Sequence, residues 1–317
     1  METQSKSICE PKQPLVSIIV ITYNSSKYVL ETLESAKAQT YKNIELIISD
    51  DCSKDRTLEI CENWIKQNQA RFIRTELIVS SKNTGIAPNC NRGLKKAKGE
   101  WIKMIAGDDI LTKDCIRIFV DYCKLNKSAK FVFSDCLPFC GNEFKNAIRM
   151  PVDFAEADAE HQLLYMLKKG NFIQGPTSFL KTKTLNSLGG YNETIPFSED
   201  FPLWLKATHM GYKLHFISKI CSFYRIHDMG IYTKSLLGKS YDQTLQKNVI
   251  IITKNILLPM LLEKKMYLHF WHNVMLIFQY KIAVNIKCKN KLLLKSVLFC
   301  DPLAWLIKFN LYKKILN

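Results

Sequence analysis

The chain has 317 residues, a 47% hydrophobic content and a formal net charge of +16. That length leaves room for a full α/β domain with material to spare, and that composition excludes an intrinsically disordered chain. The charge calls for anionic partners: nucleotide phosphates, a membrane surface or nucleic acid.

The charge is unevenly placed. From Gly238 to Asn317, 13 lysines stand against Asp242, Glu263 and Asp301. The 11 cysteines are an odd number scattered through apolar segments, with no Cys-x-x-Cys or Cys/His zinc spacing. They read as free thiols in a reducing cytoplasm. Residues 1–14 lack the apolar core of a secretory signal and read as a flexible tail. The apolar stretches near the C-terminus fall short of the ~20 residues that a membrane span needs.

Val16 to Ile21 is a β-rich apolar run of the kind a buried parallel strand shows. Thr22-Tyr23-Asn24-Ser25-Ser26 supplies turn and capping chemistry. Tyr28, Leu33, Ala36 and Ala38 fall roughly at helical spacing. A second strand, Ile44 to Ile48, stops at Ser49-Asp50-Asp51. This βαβ unit carries polar groups at the carboxyl ends of both strands, the edge where open α/β sheets bind ligands. It has no Gly-x-Gly-x-x-Gly or Walker A loop, so carboxylates and turn residues must hold any nucleotide.

Thr57 to Gln67 reads as an amphipathic helix and Phe72 to Val79 as a third strand. Asn83-Thr84-Gly85 is a turn. Asn89 to Lys98 reads as a helix ending at Gly99 in a C-cap role. Trp101 to Ala106 is a strand running into Gly107-Asp108-Asp109, a second acidic pair at a strand's carboxyl end. Thr112 to Asn126 is a helix, and Phe131 to Ser134 a short strand ending at Asp135. Phe139 to Asp158 is mixed in charge and reads as an irregular loop over the site. A short helix from His161 to Lys169 and a turn from Gln174 to Ser178 lead into Phe179-Leu180. Ser198 reads as the N-cap of a helix with Glu199 and Asp200 in its first turn, ended by Gly211. Lys213 to Tyr224 reads as one or two strands. The remainder reads as basic amphipathic helices, with Pro259 kinking or breaking any helix through it.

Taken singly, each acidic pair also reads as turn and cap chemistry, and His227 as an ordinary packed histidine. Trp64, Trp101 and Trp204 read as core, and Lys95, Lys96 and Lys98 as a solvated helix face.

Several motifs reinforce one another. They are Val16-Ser17-Ile18-Ile19, Thr22-Tyr23-Asn24, Gln39-Thr40-Tyr41 and Asp50-Asp51-Cys52-Ser53-Lys54-Asp55, followed by Asn83, Gly85, Asn91, Ala97, Gly99, Glu100, Asp108 and Asp109. Then come Gly189-Gly190-Tyr191 with Glu199-Asp200, and Tyr224-Arg225-Ile226-His227. Together they resemble the family 2 glycosyltransferases, GT-A fold enzymes that take sugar from a nucleotide donor. The resemblance runs from Val16 to His227. Two positions depart from it: Cys52 stands where the family usually has Gly or Ala, and Ala106 where many members have the first Asp of a metal motif.

The resemblance implies a GT-A Rossmann-like mixed α/β sheet flanked by helices over residues 15–237, followed by a basic amphipathic helical region over 238–317. It implies a metal, Mn2+ or Mg2+, with Asp109 as first-choice ligand, Asp108 sharing it or contacting ribose, and His227 completing the shell. Asp51 would accept the imino N–H of the base with help from Asp50. Tyr23 would stack on or edge the base, and Thr22 and Asn24 would line its pocket. Asp200, with Glu199 beside it, would be the general base, kept ionised by the helix macrodipole. One base and no nucleophile implies a single in-line displacement with inversion. The implied partners are a nucleotide-sugar donor, foremost a UDP-sugar, and a saccharide or lipid-linked acceptor in polysaccharide or glycolipid biosynthesis.

For residues 238–317 two readings stay open. One is docking on an anionic membrane surface, peripheral on its cytoplasmic face. The other is packing on the catalytic domain or forming a dimer. Nucleic acid is set aside, because no recognised module accompanies the charge. No Gln-x-x-Arg-Trp motif suggests a processive synthase. The rivals are a nucleotidyltransferase, which usually has an early Gly-rich basic loop that is missing here, and a non-catalytic nucleotide-binding member, for which Ala106 is the clue.

Overall fold

The computed structural model describes residues 13–195, 198–227 and 243–285. Residues 1–12 of the predicted tail and the expected boundary at 237/238 therefore lie outside the described residues.

Four parallel strands form one half of a nine-stranded mixed sheet: β1 (Val16–Thr22), β2 (Ile44–Asp50), β3 (Arg74–Val79) and β4 (Trp101–Ala106). The other half holds β5 (Ile110–Leu111), β6 (Phe131–Cys140), β7 (Glu143–Phe144), β8 (Ser178–Lys181) and β9 (Leu214–Arg225). The order along the sheet is β3-β2-β1-β4-β8-β6-β9-β5, with β7 paired to β6. β8 runs antiparallel to both β4 and β6, so it joins the halves.

Both faces of the sheet are covered, and the period-two alternation of the strands shows it. Val16, Ile18 and Val20 point to one buried cluster, and Ile19 to the other. Ile44, Leu46 and Ile48 follow the first face, and Ile47 the second. Helices α1 (Val29–Lys37), α2 (Thr57–Asn68) and α4 (Cys115–Leu125) cover the first face, while α3 (Ile86–Lys96) covers the second. On that second face α3 is joined by α5 (Val152–Glu156), α6 (Ala159–Lys169), α7 (Thr182–Ser187) and α8 (Asp200–His209).

Four local expectations are corrected. Helix α3 spans Ile86–Lys96, and Ala97 is already extended, so Gly99 is not its C-cap. Gly99 is needed for closeness instead: a Cβ there would sit 2.4 Å from Ser17 Oγ and 2.5 Å from the Ser17 nitrogen. Strand β6 does not stop at Ser134 but runs to Cys140, because β9 pairs with it through a register shift at Asp135. The stretch from Phe139 to Asp158 is accordingly not all loop; it holds the β6–β7 hairpin and α5. Finally, Glu199 rather than Ser198 occupies the N-cap of α8, and its side chain makes no capping bond.

The C-terminal helices α9 (Gln243–Ile252), α10 (Leu258–Glu263) and α11 (Tyr267–Asn285) are as helical as predicted. Pro259 sits at the start of α10, and a π-helical turn, Thr253–Leu257, precedes it. The proline lacks the N–H that would continue the ladder, and the backbone widens there. Ile252 and Leu261 are buried in the same cluster as Trp204 and Leu205. Lys264 pairs with Glu160 at 3.1 Å. Over its described residues, then, this region packs on the α/β domain.

Candidate active site

The carboxyl ends of β1, β2 and β4 meet at one edge of the sheet. There Thr22 Oγ1 donates to Asp50 Oδ2 at 2.7 Å. The Ser53 hydroxyl donates to the same oxygen at 2.5 Å, and the Ser53 amide to Asp50 Oδ1 at 2.8 Å. Asn24 adopts a left-handed φ of 50° and clasps the next turn: its amide donates to Ser53 Oγ and its side-chain oxygen accepts from the Lys54 amide, both at 2.8 Å. Cys52 is also left-handed, with φ 68°. A residue without a Cβ is favoured at such a φ, which accounts for the glycine usual in the resembling family.

Asp51 faces inward. Its Oδ1 accepts from Thr84 Oγ1 at 2.8 Å and from Arg92 Nη2 at 2.5 Å. Its Oδ2 accepts from the amides of Thr84 at 2.9 Å and Gly85 at 2.7 Å. Four donors fill the lone pairs of a carboxylate, and Asp51 is 3% exposed. Asp50 is fully buried and similarly engaged. The two acids thus hold the turns at this edge, and both oxygens of Asp51 are engaged by protein donors. What the edge offers outward is Tyr23, 47% exposed, and Asn24, while Arg92 Nη1 donates to Thr84 Oγ1 at 2.7 Å. Arg92 was not among the expected site residues.

The second acidic pair divides its labour. Asp109 is 2% exposed. Its Oδ1 accepts from the Arg225 amide at 2.9 Å, and its carbonyl accepts from Thr32 Oγ1 at 2.7 Å. Burial, and then the neighbouring Asp108, push its carboxyl well above the usual range. Asp109 therefore faces the protein interior, with Oδ1 already engaged. Asp108 takes the outward place instead: its Oδ2 lies 2.9 Å from His227 Nε2, with the two side chains 31% and 17% exposed. Gly107 lets this turn approach β1, since a Cβ there would meet Thr22 Cγ2 at 2.8 Å.

Among the described residues no three His, Cys, Asp or Glu side chains gather as a metal cluster. A carboxylate beside an imidazole still suits Mn2+ or Mg2+ that takes its other ligands from diphosphate oxygens. Asp108 and His227 are therefore the residues that fit a metal.

The third acidic station is the start of α8. Asp200 Oδ1 accepts from the Phe201 amide at 2.6 Å, and Oδ2 from Asn171 Nδ2 at 3.1 Å. Burial raises the Asp200 carboxyl, against the lowering effect of those two donors. Glu199 is pushed up to about 8, by burial and then by the charge of Asp200. The macrodipole was expected to keep Asp200 readily ionised; desolvation outweighs it, and the pair holds protons above the ordinary carboxylate range. Asn171 was not foreseen from the sequence.

The Glycosyl transferase family 2 model matches residues 17–179, half of the chain. The chain belongs to glycosyl transferase family 2. This family 2 chain is 28% identical over 225 residues to an uncharacterized glycosyltransferase of Rickettsia typhi, the match covering 68% of this chain and 65% of that one. It is 29% identical over 211 residues to chondroitin synthase of Escherichia coli, covering 66% and 28%. The chain therefore spans less than two thirds of the length of either relative. Among solved structures, S. aureus TarS 1–349 in complex with UDP-GlcNAc aligns with TM-score 0.60 at 20% identity, covering 85% of this chain and 73% of that one. The mannosyltransferase PcManGT from Pyrobaculum calidifontis, in complex with GDP-Man and Mn2+, aligns with TM-score 0.54 at 20% identity, covering 75% and 63%. These likenesses establish the expected GT-A fold for the family 2 chain.

Proposed function

We propose that this chain is an inverting glycosyltransferase that moves a sugar from a nucleotide-diphosphate donor, a UDP-sugar, to a saccharide or lipid-linked acceptor in surface polysaccharide or glycolipid biosynthesis. The observation that carries the reading is the pairing of Asp108 with His227 at 2.9 Å, at the end of the strand beside the Thr22–Asn24 turn. The UDP-GlcNAc of the TarS structure and the Mn2+ of the PcManGT structure support the same donor and metal classes.

In this reading Tyr23 covers the base, with Thr22 and Asn24 shaping the turn beneath it. Asp50 and Asp51 act as scaffold, locking the 53 and 84–85 turns. Asp108 and His227 would hold Mn2+ or Mg2+, and such an ion would supply positive charge to the diphosphate leaving group. Asp109 serves the site by anchoring its turn rather than as a ligand. Asp200 takes the proton of the acceptor hydroxyl as it attacks the anomeric carbon, and Asn171 orients it. Glu199, raised to about 8, stays protonated near neutrality and so does not compete as a base. With a single acid-base station and no nucleophile, the displacement inverts the anomeric centre.

Substituting Asp200→Asn tests this. Transfer from donor to acceptor should fall by at least about a hundredfold, while nucleotide affinity stays at the wild-type level. Transfer that survives the substitution removes Asp200 from the base role.

A further inference from the structure

Arg225 closes β9 with a side chain only 7% exposed. Its backbone N–H donates to Asp109 Oδ1 at 2.9 Å, and its Nε to the Asp108 carbonyl at 2.7 Å. Its Nη2 donates to Glu31 Oε2 at 2.8 Å. The guanidinium lies 4.4 Å from the ring centroids of both Tyr28 and Phe139. The Tyr28 ring in turn lies 5.0 Å from that of His227. One buried cation thus ties α1, the end of β6 and the Asp108–Asp109 turn together, two residues from His227 in the chain.

We propose that Arg225 is a positioning residue that presets the Asp108 carboxylate and the His227 imidazole for a metal-bound diphosphate; this rests on the reading of that pair given above. The turn after β4 is short and ends on a buried acid, so where Asp108 points depends on what holds its backbone. Arg225 holds that backbone through the Asp108 carbonyl. It also fixes the Tyr28 ring against which His227 lies. The rigid, planar fork of a guanidinium can bond the Asp108 carbonyl and the Glu31 carboxylate at once while stacking on two rings; an ammonium is a point charge and cannot. Glu31 completes the device as the outer anchor, 53% exposed on α1. Arg225 acts through Asp108 and His227.

The test is calorimetric titration of the full chain with UDP, in Mn2+ and in EDTA. The quantity read is the ratio of the two affinities. In the wild type this ratio should be well above one. In Arg225→Lys it should fall by about tenfold or more, the usual cost of losing an outer-shell partner of a metal ligand, while the affinity in EDTA is unchanged. Glu31→Gln, a surface substitution, should lower the same ratio by about threefold and leave the melting temperature near that of the wild type. A role confined to stability would lower the melting temperature and leave the ratio intact. A wild-type ratio above one that persists in Arg225→Lys overturns the proposal alone. If Arg225→Lys does not fold, an unchanged ratio in Glu31→Gln overturns it. A wild-type ratio of one overturns the metal–diphosphate reading and this proposal with it.

Discussion

Asp200 has its ionisation set by opposing influences, and one of the opposing donors is a single side chain, Asn171. Burial raises its carboxyl, and the Asn171 amide and the Phe201 N–H oppose that rise. A base works only when deprotonated, so transfer should increase with pH through a limb lying above the ordinary carboxylate range. Removing one stabilising donor raises the group further. Asn171→Ala should therefore shift the acidic limb of the kcat profile to higher pH and lower kcat near neutrality by about tenfold, the worth of one hydrogen bond to a charged group. A kcat–pH profile of both proteins checks this, and a limb that stays in place or moves to lower pH contradicts it.

The same scale shows what a sequence can carry. The acidic pairs Asp50-Asp51, Asp108-Asp109 and Glu199-Asp200 were legible because each ends a strand or opens a helix. Which member of a pair faces outward was not. Asp51 is turned inward by Arg92, 41 residues away, and the Asp108–Asp109 turn is held by Arg225, 117 residues from Asp108. Asn171 lies 29 residues from the carboxylate it orients. None of these partners leaves a local pattern, since a lone Asn in a connection or a lone Arg in a strand has many ordinary uses.

Among elements, the parallel strands were read best, because burial on both faces makes them near-continuous apolar runs. Helix ends were read less well. Gly99 follows a run of lysines at the end of a helical pattern, which imitates a C-cap. Its actual constraint is the approach of β1: the Gly99 amide donates to Ser17 Oγ at 2.9 Å and to Glu45 Oε1 at 3.0 Å. A methyl at Gly99 must displace the Ser17 hydroxyl and, with it, the backbone nitrogen of a buried parallel strand, which cannot swing aside as a side chain can. Gly99→Ala should accordingly destabilise the domain by about 1–3 kcal/mol, the range for overpacking. Urea unfolding measures it, and a loss under about 0.5 kcal/mol would mean that the strand yields easily. Strand β6 exceeded its predicted length because β9, some 80 residues later, supplies its partner; pairing at that separation has no signature in the strand itself.

At the scale of the molecule, the C-terminal helices serve at least one of the two roles open to them. Ile252 and Leu261 join the core beneath α8, so the region braces the element that carries Asp200. Its outer side is apolar at Tyr267, Leu268 and Phe278, which are 62%, 41% and 54% exposed. Lysines outnumber acids 13 to 3 from Gly238 onward. Among the described residues no helix is long and apolar enough to cross a membrane. Exposed Tyr267 and Phe278 in a lysine-rich sequence would suit an anionic lipid surface, which would bring Asp200 to a lipid-linked acceptor. Co-sedimentation with phosphatidylglycerol vesicles should exceed that with phosphatidylcholine vesicles and fall as salt rises. Equal binding to both lipids, or none, leaves packing on the catalytic domain as the role of these helices.

The most direct test of the nucleotide-sugar reading is thermal melting of the wild type and of Asp108→Ala with UDP, in Mn2+ and in EDTA. A ligand at a hundredfold excess over its Kd stabilises the native state by about 2.7 kcal/mol. The wild type should melt higher with UDP and Mn2+ together than with either alone, and Asp108→Ala should lose that increment while melting normally without ligand. If UDP with Mn2+ leaves the wild-type melting temperature where it was, the edge of the sheet formed by Thr22, Asp50 and Asp108 is not a working UDP-diphosphate site, and the proposed UDP-sugar donor falls.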